Sequence, residues 1–396
     1  MKVNRTLIKI GIVCIALNDS ATGATNSALA SIAAAMPLVA PALIQMIATL
    51  PTLFQAFMPL IYGKSVDFMK KKTWLYIGGA AFIIGGVAPA FFNSSIYIIL
   101  FFRAVLGIGV GILLPMATDL CIDFFEGKER STMLGYVSAF TSLSGVVFSM
   151  LGGFFANIRW EYTFFAYLAS VIFLGISFFL LPEPDRSVKL KADAEAKVNT
   201  KLTLGTYIHA VFFGFFFMLW MIAPTNTAMV LVVENIAGPA QIGTAFAIQT
   251  VFAFVFAVIF GRLFKAIRFA LLPISYLLGA AGLYVCSIAQ TFPLFVLGLS
   301  LLGVAIGLVN PATMSKLTHL VPYTAASKAI SMGYCLFALG AFFQPILFNL
   351  ITVPGRSPFF LGSIGMLIFA VLVLIGDRAF PTPVSSSSPQ SDVISQ

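Results

Sequence analysis

Charge is scarce in this sequence. Only 9% of its 396 residues are Asp, Glu, Lys or Arg, against about 25% in a soluble domain. A chain that is 60% hydrophobic has too few polar residues to cover a folded surface in water. This composition excludes a soluble globular protein and points to an all-α membrane protein. Histidine is nearly absent, with two residues, and the four cysteines Cys14, Cys121, Cys286 and Cys335 stand far apart in or beside apolar runs. Neither type has metal-ligand spacing, so no metal site is expected, and the thiols read as small apolar side chains. No GxxxxGK[ST] loop and no nucleophile–base arrangement occurs, so no catalytic residues and no cofactor are assigned. ATP-driven transport and hydrolysis are disfavoured, and the chain is not expected to be an enzyme. The net charge of +9 would suggest nucleic acid in a soluble protein. Here it reflects basic residues held at one side of a membrane.

Long apolar runs supply what is present. A spanning helix needs about 20 predominantly apolar residues. Twelve candidates are found, over 6–30, 41–62, 74–92, 96–119, 131–155, 160–181, 204–232, 241–263, 269–289, 292–315, 328–350 and 357–376. The breaks fall at Pro, Gly, Asn and charge clusters. The N-terminal run lacks a convincing cleavage site and reads as a retained first span. With the N-terminus inside, twenty of the 23 Lys and Arg fall in cytoplasmic segments. Arg159 and Arg356 fall outside, and Arg103 lies within a span. This asymmetry places both termini in the cytoplasm of a multi-pass protein of the cytoplasmic (inner) membrane. The expected organisation is an N-terminal six-helix half at 1–181, a cytoplasmic linker at 182–203, a C-terminal six-helix half at 204–380 and a disordered tail at 381–396.

The halves repeat each other. Gly107, Gly111 and Pro115 match Gly303, Gly307 and Pro311, each 196 residues apart. Gly135-Tyr136 matches Gly333-Tyr334, 198 apart, and Ile61-Tyr62-Gly63-Lys64 matches Ile259-Phe260-Gly261-Arg262 at the same offset. The stretch Gly63–Lys72 joins two spans and is the most distinctive segment. Its Gly suits a tight turn where a helix leaves the bilayer. Its Asp67 can bond free N–H groups at a helix start. Lys71 or Lys72 can pair with Asp119 or Asp123, one helical turn apart at the inner end of span four. Gly63, Asp67, Lys71, Lys72, Asp119 and Asp123 are therefore the candidate gating loop.

Gly63, Asp67, Lys71 and Lys72 resemble the loop motif G-x-L-a-D-r-x-G-r-K of the major facilitator superfamily of secondary transporters. Ser65 stands for Leu and Lys70 for the second Gly. Arg103 through Gly111 resembles the family's span-four motif l-x-x-R-x-x-q-G-x-G, with Leu106 in place of its polar residue. Ser144 to Gly153 is similar to the antiporter motif g-x-x-x-G-P-x-x-G-G only at the Gly pair, because Phe148 and Ser149 replace Gly-Pro. The resemblance implies twelve transmembrane helices in two pseudo-symmetric six-helix bundles. It also implies alternating access about a midplane site and a link between Arg103 and proton coupling.

Deep polar residues supply the candidate site, since charges inside a bilayer are costly and tend to be functional. Asp19 and Arg103 are the two deep charges and the candidates for proton coupling. On an α-helix, Asp19, Thr22 and Asn26 share one face. Asp19 reads as a proton carrier, an anchor for a cationic substrate, or an acceptor for neighbouring hydroxyls. Arg103 holds its proton too tightly to carry it. It would tune a nearby acid or hold an anionic group, or else snorkel to the surface. Asn18, Thr22, Asn26, Thr225, Asn226, Gln249, Asn310 and Gln344 are the candidate substrate-binding residues, few polar anchors in a largely apolar cavity. The function expected is secondary transport of a small organic compound, with proton-coupled efflux favoured. An importer of an organic anion and a non-transporting sensor or scaffold are the alternatives. The expected partners are the substrate, protons and lipid, with no nucleic acid, and the functional unit is expected to be a monomer.

Overall fold

In a bilayer every backbone polar group must be satisfied within the protein, and a helix does this along its own length. The apolar runs accordingly form helices throughout. The computed structural model describes residues 5–65, 69–184, 202–267, 270–321, 326–351 and 356–379. Asp67, the linker core 185–201 and the tail 381–396 lie outside the described residues.

Among the described residues, twelve helices are long and apolar enough to cross a membrane. They are α1 (Arg5–Ala35), α2 (Pro41–Gly63), α3 (Lys71–Ala90), α4 (Ile96–Phe124), α5 (Lys128–Ile158) and α6 (Trp160–Leu180). The second six are α7 (Leu204–Leu231), α8 (Pro239–Ile267), α9 (Leu271–Ile288), α10 (Phe292–His319), α11 (Lys328–Ile351) and α12 (Ser357–Gly376). No strand occurs among the described residues. The helices overrun the apolar stretches at several ends. Helix α4 continues past residue 119 to Phe124, so Asp119 and Asp123 project from the helix itself. Gly63 was expected to open a turn, yet the helix runs on to Ser65. Nothing lies within 4 Å of a Cβ placed on Gly63, so it meets no close packing there. The Ser65 hydroxyl donates to the Tyr62 carbonyl and helps close the last turn.

The internal repeat is a repeat of packing. A Cβ on Gly107 would meet the Pro51 carbonyl oxygen at 2.7 Å, and one on Gly303 would meet that of Gln249 at 2.3 Å. Gly111 lies against Phe54 and Met58 of α2, and Gly307 against Ala253 of α8. In both halves, small residues let the fourth helix approach the second.

Among the described residues, two spans carry 3-10 runs longer than four residues. Helix α1 is α-helical over Arg5–Ala16, turns through 17–20, runs as 3-10 helix over Ala21–Ala28 and resumes as α-helix over Leu29–Ala35. Helix α6 begins with 3-10 helix over Trp160–Leu168.

The two bundles meet at the end of the molecule opposite Lys71. Within the first bundle, a Cβ on Gly152 would lie 1.9 Å from the Ala24 carbonyl oxygen, which brings α5 onto α1. Gly153 faces Pro239 and Gly243, and Gly243 faces the Ser149 carbonyl, so α5 and α8 cross backbone to backbone. Gln45 of α2 donates to Asn226 of α7 at 2.9 Å and accepts from Asn349 of α11 at 2.6 Å. These contacts across the seam are all between uncharged groups.

Candidate functional site

Asn18 lies at the break in α1. Its Nδ2 donates to the Cys14 carbonyl at 2.8 Å and its side chain is buried. That nitrogen serves the helix end, and the residue is not free to bind cargo through it. Asp19 follows. The Thr141 hydroxyl of α5 lies toward its carboxylate. Its Oδ1 is buried without a hydrogen-bond partner. Tyr334 of α11 lies within its electrostatic reach, with Asn310 of α10 beside it. Asp19 therefore belongs to one bundle and looks toward the other.

The expected shared face of Asp19, Thr22 and Asn26 needs correction. In 3-10 helix, side chains three apart eclipse. Asn26 consequently lines up with Ser20 and Gly23, in the row beside Asp19 and Thr22. All five are partly exposed, whereas Thr25 is buried.

Opposite Asp19 stands a wall of rings. Tyr334 and Phe337 of α11 lie 6.2 Å apart between centroids. Phe337 meets Phe217 of α7 at 3.8 Å, and Phe217 meets Trp220 at 5.7 Å. Tyr334 remains 45% exposed, so this wall is not sealed in the core.

Arg103 does not snorkel. Its side chain is 0% exposed. Its Nε donates to the Ile47 carbonyl at 2.7 Å, its Nη1 to the Tyr167 hydroxyl at 2.7 Å and its Nη2 to the Thr22 carbonyl at 3.2 Å. The first acceptor has a local cause. Pro51 lies four residues beyond Ile47 in α2 and offers no N–H. Arg103 fills the vacancy, and it also holds the 3-10 stretch of α1. Its planar fork serves three acceptors from three helices at once.

Thr225, Asn226 and Gln344 come together, but in the seam between the bundles and not beside Asp19. Thr225 donates to Gln344 at 3.0 Å, and Asn226 donates to Thr225 at 2.9 Å. Gln45 and Asn349 complete this network. Both were visible as amides inside apolar runs, but their pairing needs the tertiary fold. Gln249 lies apart from both groups, with its carbonyl against Gly303 and its buried Nε2 without a hydrogen-bond partner.

At the opposite end, Lys71 forms ion pairs with both Asp119 and Asp123 and is only 4% exposed. Tyr62 donates to Asp119 at 3.2 Å. Glu183 accepts the backbone N–H groups of Lys71 at 2.8 Å and Lys72 at 2.9 Å, occupying the positive end of α3. Glu183 was read only as part of a linker, because nothing local marks it as a cap for a helix over a hundred residues earlier.

Residues 10–225 and 208–394 each match the Major Facilitator Superfamily. Multidrug resistance protein 2 of Bacillus subtilis (strain 168) is 25% identical over 331 residues, covering 79% of this chain and 81% of that protein. Multidrug resistance protein 3 of the same organism is 34% identical over 106 residues, 26% of this chain and 20% of that protein. Among solved structures, a D-xylose–proton symporter superposes with a TM-score of 0.70 at 14% identity, covering 93% of this chain and 96% of that one. A peptide transporter POT in complex with sulfate gives 0.74 at 12% identity, with 95% of both chains covered. At such identities these structures share the fold.

Proposed function

Because the chain belongs to the Major Facilitator Superfamily, and is thus a transporter and not an enzyme, we propose that it exports a small, partly apolar organic compound in exchange for protons. Asp19 carries this reading. It is an acid between the bundles, with one buried oxygen unpaired, a hydroxyl of α5 beside it and a tyrosine facing it from α11. A neutral carboxyl is cheaper than a charged one at this depth. Protonation would let the site change sides, and deprotonation would restore a polar site.

The ring wall of α7 and α11 supports a partly apolar cargo. The multidrug resistance relatives support export. With the basic residues on the cytoplasmic side of the cell membrane, the uncharged seam is the outer closure and the Lys71 cluster is an inner brace. Arg103 disfavours the import of an organic anion, since all three of its nitrogens already serve protein acceptors. A scaffold would have no need of an acid at the interface.

The test uses proteoliposomes containing a pH-sensitive dye, challenged with a panel of metabolites and drugs. A compound-dependent proton flux in the antiport direction is expected. It should be lost in Asp19→Asn while compound exchange persists. Uphill transport by Asp19→Asn would refute the assignment.

A further inference from the structure

The position of Asp19 depends on the irregular stretch that follows it. Runs of 3-10 helix beyond three or four residues are uncommon, and one inside a longer helix marks a hinge or strain. Here two such runs, Ala21–Ala28 and Trp160–Leu168, lie in adjoining helices. The second run holds the first. Thr163 donates to the Ala24 carbonyl at 3.3 Å and the Gly152 carbonyl at 3.1 Å. The Tyr167 hydroxyl donates to the Thr22 carbonyl at 3.5 Å and accepts from Arg103. Tyr167 is itself fixed, since a Cβ on Gly86 would meet its ring at 2.6 Å. Both side chains are 0% exposed.

In an α-helix the carbonyls of Thr22 and Ala24 would take the N–H groups of Asn26 and Ala28. The hydroxyls of α6 offer competing donors and favour the 3-10 register. The register has a large geometric effect. An α-helical version of eight residues would be about 4 Å shorter and wound about 160° less. Asp19 would then point elsewhere relative to Leu29–Ala35.

We propose that Thr163 and Tyr167 are positioning residues for Asp19, aiming its carboxyl between the bundles by holding the 3-10 register of α1. This rests on the reading of Asp19 as the proton site. The groups around that carboxyl are Thr141 from α5, Tyr334 from α11 and, one turn along α1, the Arg103 guanidinium from α4. Tyr334 and Arg103 are the titratable and charged members. A shift in register would change the distance of Asp19 from both.

The experiment is a pH titration of the full-length protein in lipid by infrared difference spectroscopy. The protonated-carboxyl band of Asp19 is identified as the one removed by Asp19→Asn. Thr163→Val and Tyr167→Phe should each move its midpoint by about one pH unit, the size expected for one altered hydrogen bond. Thr163→Ser, which keeps the hydroxyl, should titrate with the parent protein. Unmoved midpoints in folded variants would overturn the proposal and leave the two hydroxyls a purely structural role. If Tyr167→Phe does not fold, the nearly isosteric Thr163→Val decides alone. If Asp19→Asn removes no titrating band, Asp19 is not the proton site, and this inference falls with that reading.

Discussion

Replacing Arg103 by lysine keeps the charge and removes the fork. In the native arrangement three nitrogens reach Ile47, Tyr167 and Thr22, which lie on α2, α6 and α1. A single ammonium cannot occupy all three positions. At least two hydrogen bonds to a charged donor are lost, each contributing about 1.5–3 kcal/mol, so Arg103→Lys should destabilise the protein by about 3–6 kcal/mol. Ile47 adds an internal control. Its carbonyl is orphaned by Pro51, and Pro51→Ala would give it a backbone N–H. In the Pro51→Ala background the cost of Arg103→Lys should fall by about 1 kcal/mol. Thermal unfolding can be followed with a thiol-reactive dye, because Cys14, Cys121 and Cys286 are buried and become reactive on opening. Transport is measured on the same samples. Equal stability and equal transport for Arg103→Lys would refute the bridging role. Additive effects of the two substitutions would refute the link to Pro51.

Asp19→Asn should abolish gradient-driven extrusion in proteoliposomes while leaving compound exchange within about threefold of the parent, since an amide mimics a protonated carboxyl; uphill transport would contradict this. Glu183→Ala should cost about 1–2 kcal/mol by uncapping α3, seen as faster amide exchange at Lys71 and Lys72; unchanged exchange would place the cap elsewhere. Gly153→Ala puts a methyl 2.7 Å from the Pro239 carbonyl across the seam, so a protein that still inserts should fail to close there, measured as increased labelling of a cysteine introduced beside it. Gln45→Leu removes the partner of both Asn226 and Asn349 and should raise that labelling about fivefold, for a loss of about 1 kcal/mol in the closed form.

The twelve spans and the paired bundles were legible because helix length, hydropathy and the 196-residue glycine offsets are properties of the chain itself. The matched glycines turn out to mark the same contact in each half, α4 on α2 and α10 on α8. Asp19 and Arg103 were legible for a different reason, since a charge in an apolar run stands out whatever surrounds it. Their surroundings were not legible. Tyr167 looks like any aromatic in a membrane span until Arg103 is placed beside it. Asn26 was assigned to the wrong row because periodicity assumes α-helix, and nothing in Ala-Thr-Gly-Ala-Thr-Asn-Ser-Ala announces 3-10 winding. Thr225, Asn226 and Gln344 were correctly noticed as polar, but their partnership with Gln45 and Asn349 arises only when the bundles close.

The composition of the seam between the bundles sets what its closure can respond to. Gly153 and Gly243 meet each other's backbones there, and Gln45, Asn226 and Asn349 exchange amide hydrogen bonds. None of these groups titrates between pH 3 and 10, and none attracts a counter-ion atmosphere that added salt could thin. The ion pairs that brace Lys71 stand at the far end of the molecule. Acidity or brine thus finds no direct handle on these contacts, since the ion pairs at the seam end, Arg159–Glu161 and Arg356–Glu234, each join residues of a single bundle.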